Sequence, residues 1–124
     1  MIIGIGIDIA DQTRIQESID KYGETFLQRI FTKQEILLCQ RYRSYAEHYA
    51  GKFAAKEAFM KAIGTGLSQQ ITFQHIEVLN YPSGAPYIIT HSKAAEVSKH
   101  LGVTRIHISV SHTAHLAIAV VVLE

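Results

Sequence analysis

Isoleucines at positions 3, 5, 7 and 9 alternate with Gly4, Gly6 and Asp8. A period of two predicts a strand over Ile2–Ala10, with isoleucines on one face and glycines plus an aspartate on the other. Past it the period lengthens. Asp11 or Thr13 caps a short helix that ends at Gly23, with Ile15, Ile19 and Tyr22 as its inner stripe. A second short helix covers Glu24–Ile30. Two capping boxes, Thr32–Glu35 and Ser44–Glu47, each open a further helix, and the later one runs to Gly64. His75–Asn80 and Pro86–Thr90 read as strands around the turn-rich Tyr81-Pro82-Ser83-Gly84. Ser92–Leu101 is a helix closed by Gly102, and Arg105–His112 with His115–Leu123 form a hairpin rich in β-branched residues. The pattern predicts an α+β fold, helices packed on a largely antiparallel sheet. No repeat, linker or low-complexity run interrupts it, so residues 1–124 read as one domain.

The long helix carries the first anomaly. At about 100° per residue, Ala46, Ala50, Phe53, Glu57 and Met60 share one face, with Glu57 near its centre and Lys61 one turn on, at its edge. A charge on an apolar face is costly unless it is paired or bound to a cation. The plain alternative is an i,i+4 Glu–Lys pair on a partly solvated helix. Asp8 is the second anomaly. It shares the glycine face of the first strand, where another backbone or a ligand can approach closely. Taken alone it ends the strand and caps the next helix. Taken together, Asp8 and Glu57 suit a shared hard cation, and two carboxylates completed by water and phosphate suit Mg²⁺.

Gly4-Ile5-Gly6 is not a dinucleotide fingerprint, because Ile9 stands where the third glycine belongs. His112 extends the apolar face of Ile106, Ile108 and Val110 to a strand end, where binding groups emerge. The other six histidines show no metal spacing; His112 and His115 lack a third ligand, which argues against zinc. Ser111-His112 has no nucleophile-elbow context. Arg14 and Lys21 share a face of the first helix, followed by Arg29 and Lys33. A solvated basic face is one reading; a platform for an acidic protein partner is the other.

Charge narrows the picture further. Twelve basic and eleven acidic residues leave no bulk attraction for nucleic acid or a membrane surface. The one cysteine, Cys39, cannot form an internal bridge, and the N-terminus lacks the basic region of a signal peptide. A cytoplasmic protein is expected. Hydrophobic residues make up 48% of the chain, and Leu116–Leu123 is almost unbroken in apolarity. That is more apolar surface than one small domain covers, and it predicts an oligomer.

The stretch from Phe53 to Gly66, FAAKEAFMKAIGTG, closely resembles the signature of the small phosphopantetheinyl transferases, the holo-[acyl-carrier-protein] synthases of bacterial fatty-acid synthesis. So do GIGIDI (Gly4–Ile9), RIFTKQE (Arg29–Glu35), FQHIEV (Phe73–Val78), SGAPYI (Ser83–Ile88) and ISVSHT (Ile108–Thr113), in order over nearly the whole chain. The resemblance implies the 4'-phosphopantetheinyl transferase-like fold and a homotrimer with active sites at subunit interfaces. It implies transfer of 4'-phosphopantetheine from coenzyme A to a serine of apo-acyl carrier protein, releasing 3',5'-ADP. Asp8 and Glu57 match the family's metal ligands, with Mg²⁺ as cofactor, and Lys61 its active-site lysine; Glu57 is the candidate base. Lys52, Lys61, Gly64, Pro86, His112 and Thr113 are the implied coenzyme A contacts, and Arg14, Lys21 and Arg29 the implied carrier-docking residues. Lys52 stands where many relatives carry arginine, which keeps the charge and loses the bidentate fork. Two rival readings stand beside it. One is a coenzyme A or carrier binding module with structural carboxylates; the other is a thioesterase on a small α+β fold.

Overall fold

The computed structural model describes residues 1–64 and 70–124. The alternating segment becomes β1 (Gly4–Asp11). Asp11 then caps α1 (Gln12–Tyr22), its carboxylate accepting from the amides of Thr13 at 2.8 Å and Arg14 at 3.4 Å. Gly23, at φ 56°, turns the chain into α2 (Glu24–Ile30). Thr32 and Glu35 close a reciprocal capping box on α3 (Lys33–Cys39). The long helix α4 (Tyr45–Ile63) stops at Gly64, which takes the left-handed conformation that glycine adopts without strain. A 3₁₀ turn at Phe73–His75 leads into β2 (Ile76–Asn80), and β3 (Pro86–Thr90) returns beside it. After α5 (Ser92–His100), β4 (Ile106–His112) and β5 (Leu116–Leu123) form the closing hairpin.

The strands make two antiparallel sheets, β1-β5-β4 and β2-β3. The registers place Asp8 opposite Ala119 and His112 opposite Ala117, on the two flanks of β5. α4 lies across the inner face of the larger sheet and also reaches β2 and α3. The glycines of β1 explain how close it comes. A Cβ on Gly6 would stand 1.9 Å from the Ala58 carbonyl oxygen, and one on Gly4 1.9 Å from that of Ala62. Strand and helix backbones therefore touch, as only glycine allows.

Several expectations change. α4 does not show one apolar stripe. It is buried on nearly every side, through Tyr49, Gly51, Lys52, Ala54, Ala55, Lys56, Ala58 and Phe59, while Glu57 is only half-buried. The helix passes through the centre of the molecule, between two sheets and α1, so no face is left to be the solvent face. Tyr22 lies outside the inner stripe of α1, with the Lys21 ammonium 5.2 Å above its ring. Ser44 makes no side-chain cap, because its backbone at ψ 44° is not the extended conformation a cap needs. The isoleucine face of β1 points outward: Ile5, Ile7 and Ile9 are 62%, 58% and 57% exposed. Cys39 is fully buried and its thiol pushed up to about 12 by that burial, the mark of a packing residue rather than a reactive one.

Candidate active site

Two clusters of chemistry-bearing side chains flank α4. The first follows from the glycine contact. With Gly6 pressed on Ala58, the next inward residue of β1 is Asp8, which emerges beside the Glu57–Lys61 turn of α4. Lys61 Nζ donates to Asp8 Oδ1 at 2.7 Å and to the Ile7 carbonyl at 3.1 Å. Burial raises the Glu57 carboxyl above its usual range, the negative charge of Asp8 raises it further, and Lys61 partly offsets both. Lys61 in turn is held protonated, above its ordinary value, by its hydrogen bond to Asp8. Two neighbouring carboxylates, one of them raised by the charge of the other, are a hard-oxygen donor set that a small divalent cation relieves. Among the described residues no third His, Cys, Asp or Glu joins them, so any further ligands would be water or substrate oxygens.

The second cluster is a cavity of about 260 Å³ on the other side of the helix, lined by residues of both sheets. His48, Gly51 and Lys52 of α4 line it, with Val78 and Asn80 of β2, Gly84 of the following turn, Pro86 of β3, and Val110 and His112 of β4. Lys52 forms its floor, 5% exposed, donating to the Val78 carbonyl at 2.6 Å and Asn80 Oδ1 at 3.0 Å. Burial lowers its pKa below the usual lysine range. Asn80 also donates to the Gly84 carbonyl at 2.9 Å, tying Lys52 to the turn that leads into Pro86. The His112 ring rests on Gly51: a Cβ there would lie 2.8 Å from His112 Nε2. His48 stacks on Tyr42 with ring centroids 3.8 Å apart, and burial lowers its pKa, which favours the neutral ring.

Of the residues singled out in the sequence, Asp8, Glu57 and Lys61 come together, and so do Lys52, Pro86 and His112. The two groups do not meet within one chain. Lys52 and Lys61 are nine positions apart in α4, which at about 100° per residue puts them on opposite faces. Gly64 caps the helix on the Lys61 side, and residues 65 and 66 of the motif lie outside the described residues. Thr113 sits in the β4–β5 turn, its hydroxyl accepting from the amides of His115 and Leu116. Arg14, Lys21 and Arg29 are exposed on α1 and α2, and none joins an ion pair among the described residues. Sequence reasoning missed His48, Gly51 and Asn80. Gly51 carried a legible signal, since glycine inside a helix costs about 1 kcal/mol against alanine and needs a packing reason.

Helices packed on antiparallel sheets thus hold a carboxylate pair beside a lysine on one side of α4 and a cavity on the other. The chain belongs to the 4'-phosphopantetheinyl transferase superfamily, whose sequence signature matches residues 4–121. It is 49% identical over 124 residues to the holo-[acyl-carrier-protein] synthase of Koribacter versatilis, covering 100% of this chain and 99% of that protein. Its structure is similar to the crystal structure of the holo-[acyl-carrier-protein] synthase of Neisseria meningitidis, with a TM-score of 0.91, 34% identity, and coverage of 100% and 99%. The Bacillus anthracis synthase, solved in complex with CoA (3',5'-ADP), superposes with a TM-score of 0.82 at 39% identity, covering 99% of this chain and 96% of that one.

Proposed function

We propose that the protein is a holo-[acyl-carrier-protein] synthase, one domain over residues 1–124, acting in the cytoplasm on coenzyme A and apo-acyl carrier protein. The serine hydroxyl of the carrier attacks the phosphorus that bears the pantetheine arm. A serine O–P bond forms, the pyrophosphate P–O bond breaks, and 3',5'-ADP leaves. Glu57, directly or through a water, takes the serine proton. Burial first, and then the Asp8 charge, raise its carboxyl above the usual glutamate range. Lys61 holds its charge beside Asp8 and offsets the negative charge that grows on the departing phosphate. Asp8 and Glu57 would hold Mg²⁺, which when bound supplies charge neutralisation to the phosphate oxygens. Lys52, Pro86, His112 and Thr113 hold the nucleotide end, while Gly64 lets the chain turn close beside the phosphates.

These two groups lie on opposite faces of α4, so one coenzyme A reaches both only across a boundary between subunits. The outward isoleucines of β1, continuous with Ile118, Val120 and Val122 of β5, supply the apolar face such an assembly needs. We read the assembly as a homotrimer with three interfacial sites. Arg14, Lys21 and Arg29 form the carrier-docking surface.

The observation that carries this reading is the Asp8–Glu57–Lys61 cluster in a chain that matches the transferase signature from residue 4 to residue 121. The test is a mass spectrum of apo-acyl carrier protein incubated with coenzyme A, Mg²⁺ and the protein. A gain of one phosphopantetheine is expected, and its loss in Asp8→Ala and Glu57→Ala variants that still fold. An unchanged carrier mass with the wild-type protein would overturn the reading.

A further inference from the structure

A strand has two hydrogen-bonding edges, and β2 uses one of them on β3. Its other edge is turned into the protein, where unpaired amides and carbonyls are costly. Charged side chains occupy that edge in place of a strand. Lys56 Nζ donates to the Ile76 carbonyl at 2.7 Å. The Val78 amide donates to Glu35 Oε2 at 2.7 Å, and the Val78 carbonyl accepts from Lys52 Nζ at 2.6 Å. Lys56 spends its remaining protons on Glu35 Oε1 at 2.8 Å and the Phe73 carbonyl at 2.9 Å. Glu35 Oε1 also accepts from the Thr32 amide at 2.7 Å. Glu35 and Lys56 are both 0% exposed, and every polar atom of the pair is used.

Stability alone does not account for this arrangement, because apolar residues of similar volume often replace a buried ion pair without loss. The geometry has a second consequence. In an extended strand the amide and carbonyl of one residue point to the same side. Glu35 grips the amide of Val78 and Lys52 grips its carbonyl, so whatever fixes Val78 also fixes the Lys52 ammonium. Lys52 has two bonds within the chain and one N–H left for a ligand in the cavity.

We infer that Glu35, anchored by Lys56, is a positioning residue for Lys52, holding Val78 so that the ammonium stands at a fixed place on the cavity floor. This rests on the reading of that cavity as the nucleotide site. The experiment is calorimetric titration of 3',5'-ADP into wild type, E35Q, K52M and the double variant. E35Q is expected to weaken binding about tenfold, the worth of one charge-assisted hydrogen bond. K52M should lose at least as much, and E35Q/K52M should bind no more weakly than K52M alone, since both act through one group. Additive losses would overturn the inference by showing that Glu35 acts without Lys52. Wild-type binding by K52M would instead overturn the reading of the cavity, and the inference with it. E35Q leaves the Lys56 charge buried and unpaired, which works against folding. The variant E35L/K56M removes both charges together, and the same comparison is made with and without K52M. Wild-type affinity in a folded E35L/K56M protein overturns the inference.

Discussion

Glu77 shows how one side chain ties pH to folding. Burial by itself pushes its carboxyl up. The Thr32 hydroxyl and the His91 ring, both hydrogen-bonded to it, outweigh that and leave it below the usual glutamate range. A carboxyl depressed in the folded state contributes stability that is present above its unfolded value and lost as pH falls through its folded one. The urea midpoint should therefore fall as pH drops below about 4.5, the ordinary glutamate region. Glu77→Gln should flatten that limb, and an unchanged acid limb would contradict the assignment. The basic residues of α1 make a different prediction at the same scale. Rim charges act mainly on association rate and salt dependence. Arg14→Glu should raise KM for the carrier protein several-fold, leave that for coenzyme A nearly unchanged, and flatten the salt dependence of the rate. Weakened coenzyme A binding would move this face to the nucleotide site.

Two glycines at the contact between α4 and the larger sheet, Gly6 on the strand and Gly51 on the helix, separate packing from function at the scale of elements. A Cβ at Gly6 meets backbone, the Ala58 carbonyl oxygen at 1.9 Å and the Ala62 amide nitrogen at 2.7 Å. Neither can move without parting strand from helix, so Gly6→Ala should destabilise by about 3 kcal/mol or more. A Cβ at Gly51 meets the movable end of a side chain, the His112 ring. Gly51→Ala should therefore fold, helped by about 1 kcal/mol of helix propensity. By displacing His112 it should raise KM for coenzyme A several-fold with kcat kept. Thermal melts and steady-state kinetics on the two variants check both statements.

For the whole molecule, the outer face of β1 decides whether the chain acts alone. Ile5→Lys places a charge on the exposed apolar face, far from the inward Asp8 side of the strand, and should dissociate the oligomer without unfolding the chain. Sedimentation equilibrium should then give a single-chain mass, and activity should fall with it. Wild-type mass and activity in this variant would place the interface elsewhere. Mixing tests the shared site directly. Co-refolded His112→Ala and Glu57→Ala chains, assayed at low coenzyme A where the first alone is impaired and the second inactive, should exceed the summed rates of the separate variants, because some interfaces then pair an intact His112 with an intact Glu57. No recovery despite subunit exchange would put both residues in one chain's site.

Local signals decided most of the elements. The bounds of α2 and β3 follow from Gly23 and from the Tyr81–Gly84 turn with Pro86 behind it, all encoded within a few residues. The Thr32–Glu35 box was legible for the same reason, and so were Asp8 and Glu57 as charges out of keeping with their neighbours. What Glu35 does beyond capping was not legible. Its partners Lys56 and Val78 are 21 and 43 residues away, and only the docking of α3 and β2 on α4 brings them within bonding distance. The alternation in β1 fixed which residues share a face. It did not fix which face turns inward, and greasiness alone would have buried the isoleucines. The fold buries the glycine face instead, because a face without side chains lets the α4 backbone lie against the strand, and it leaves the isoleucines for another surface to cover.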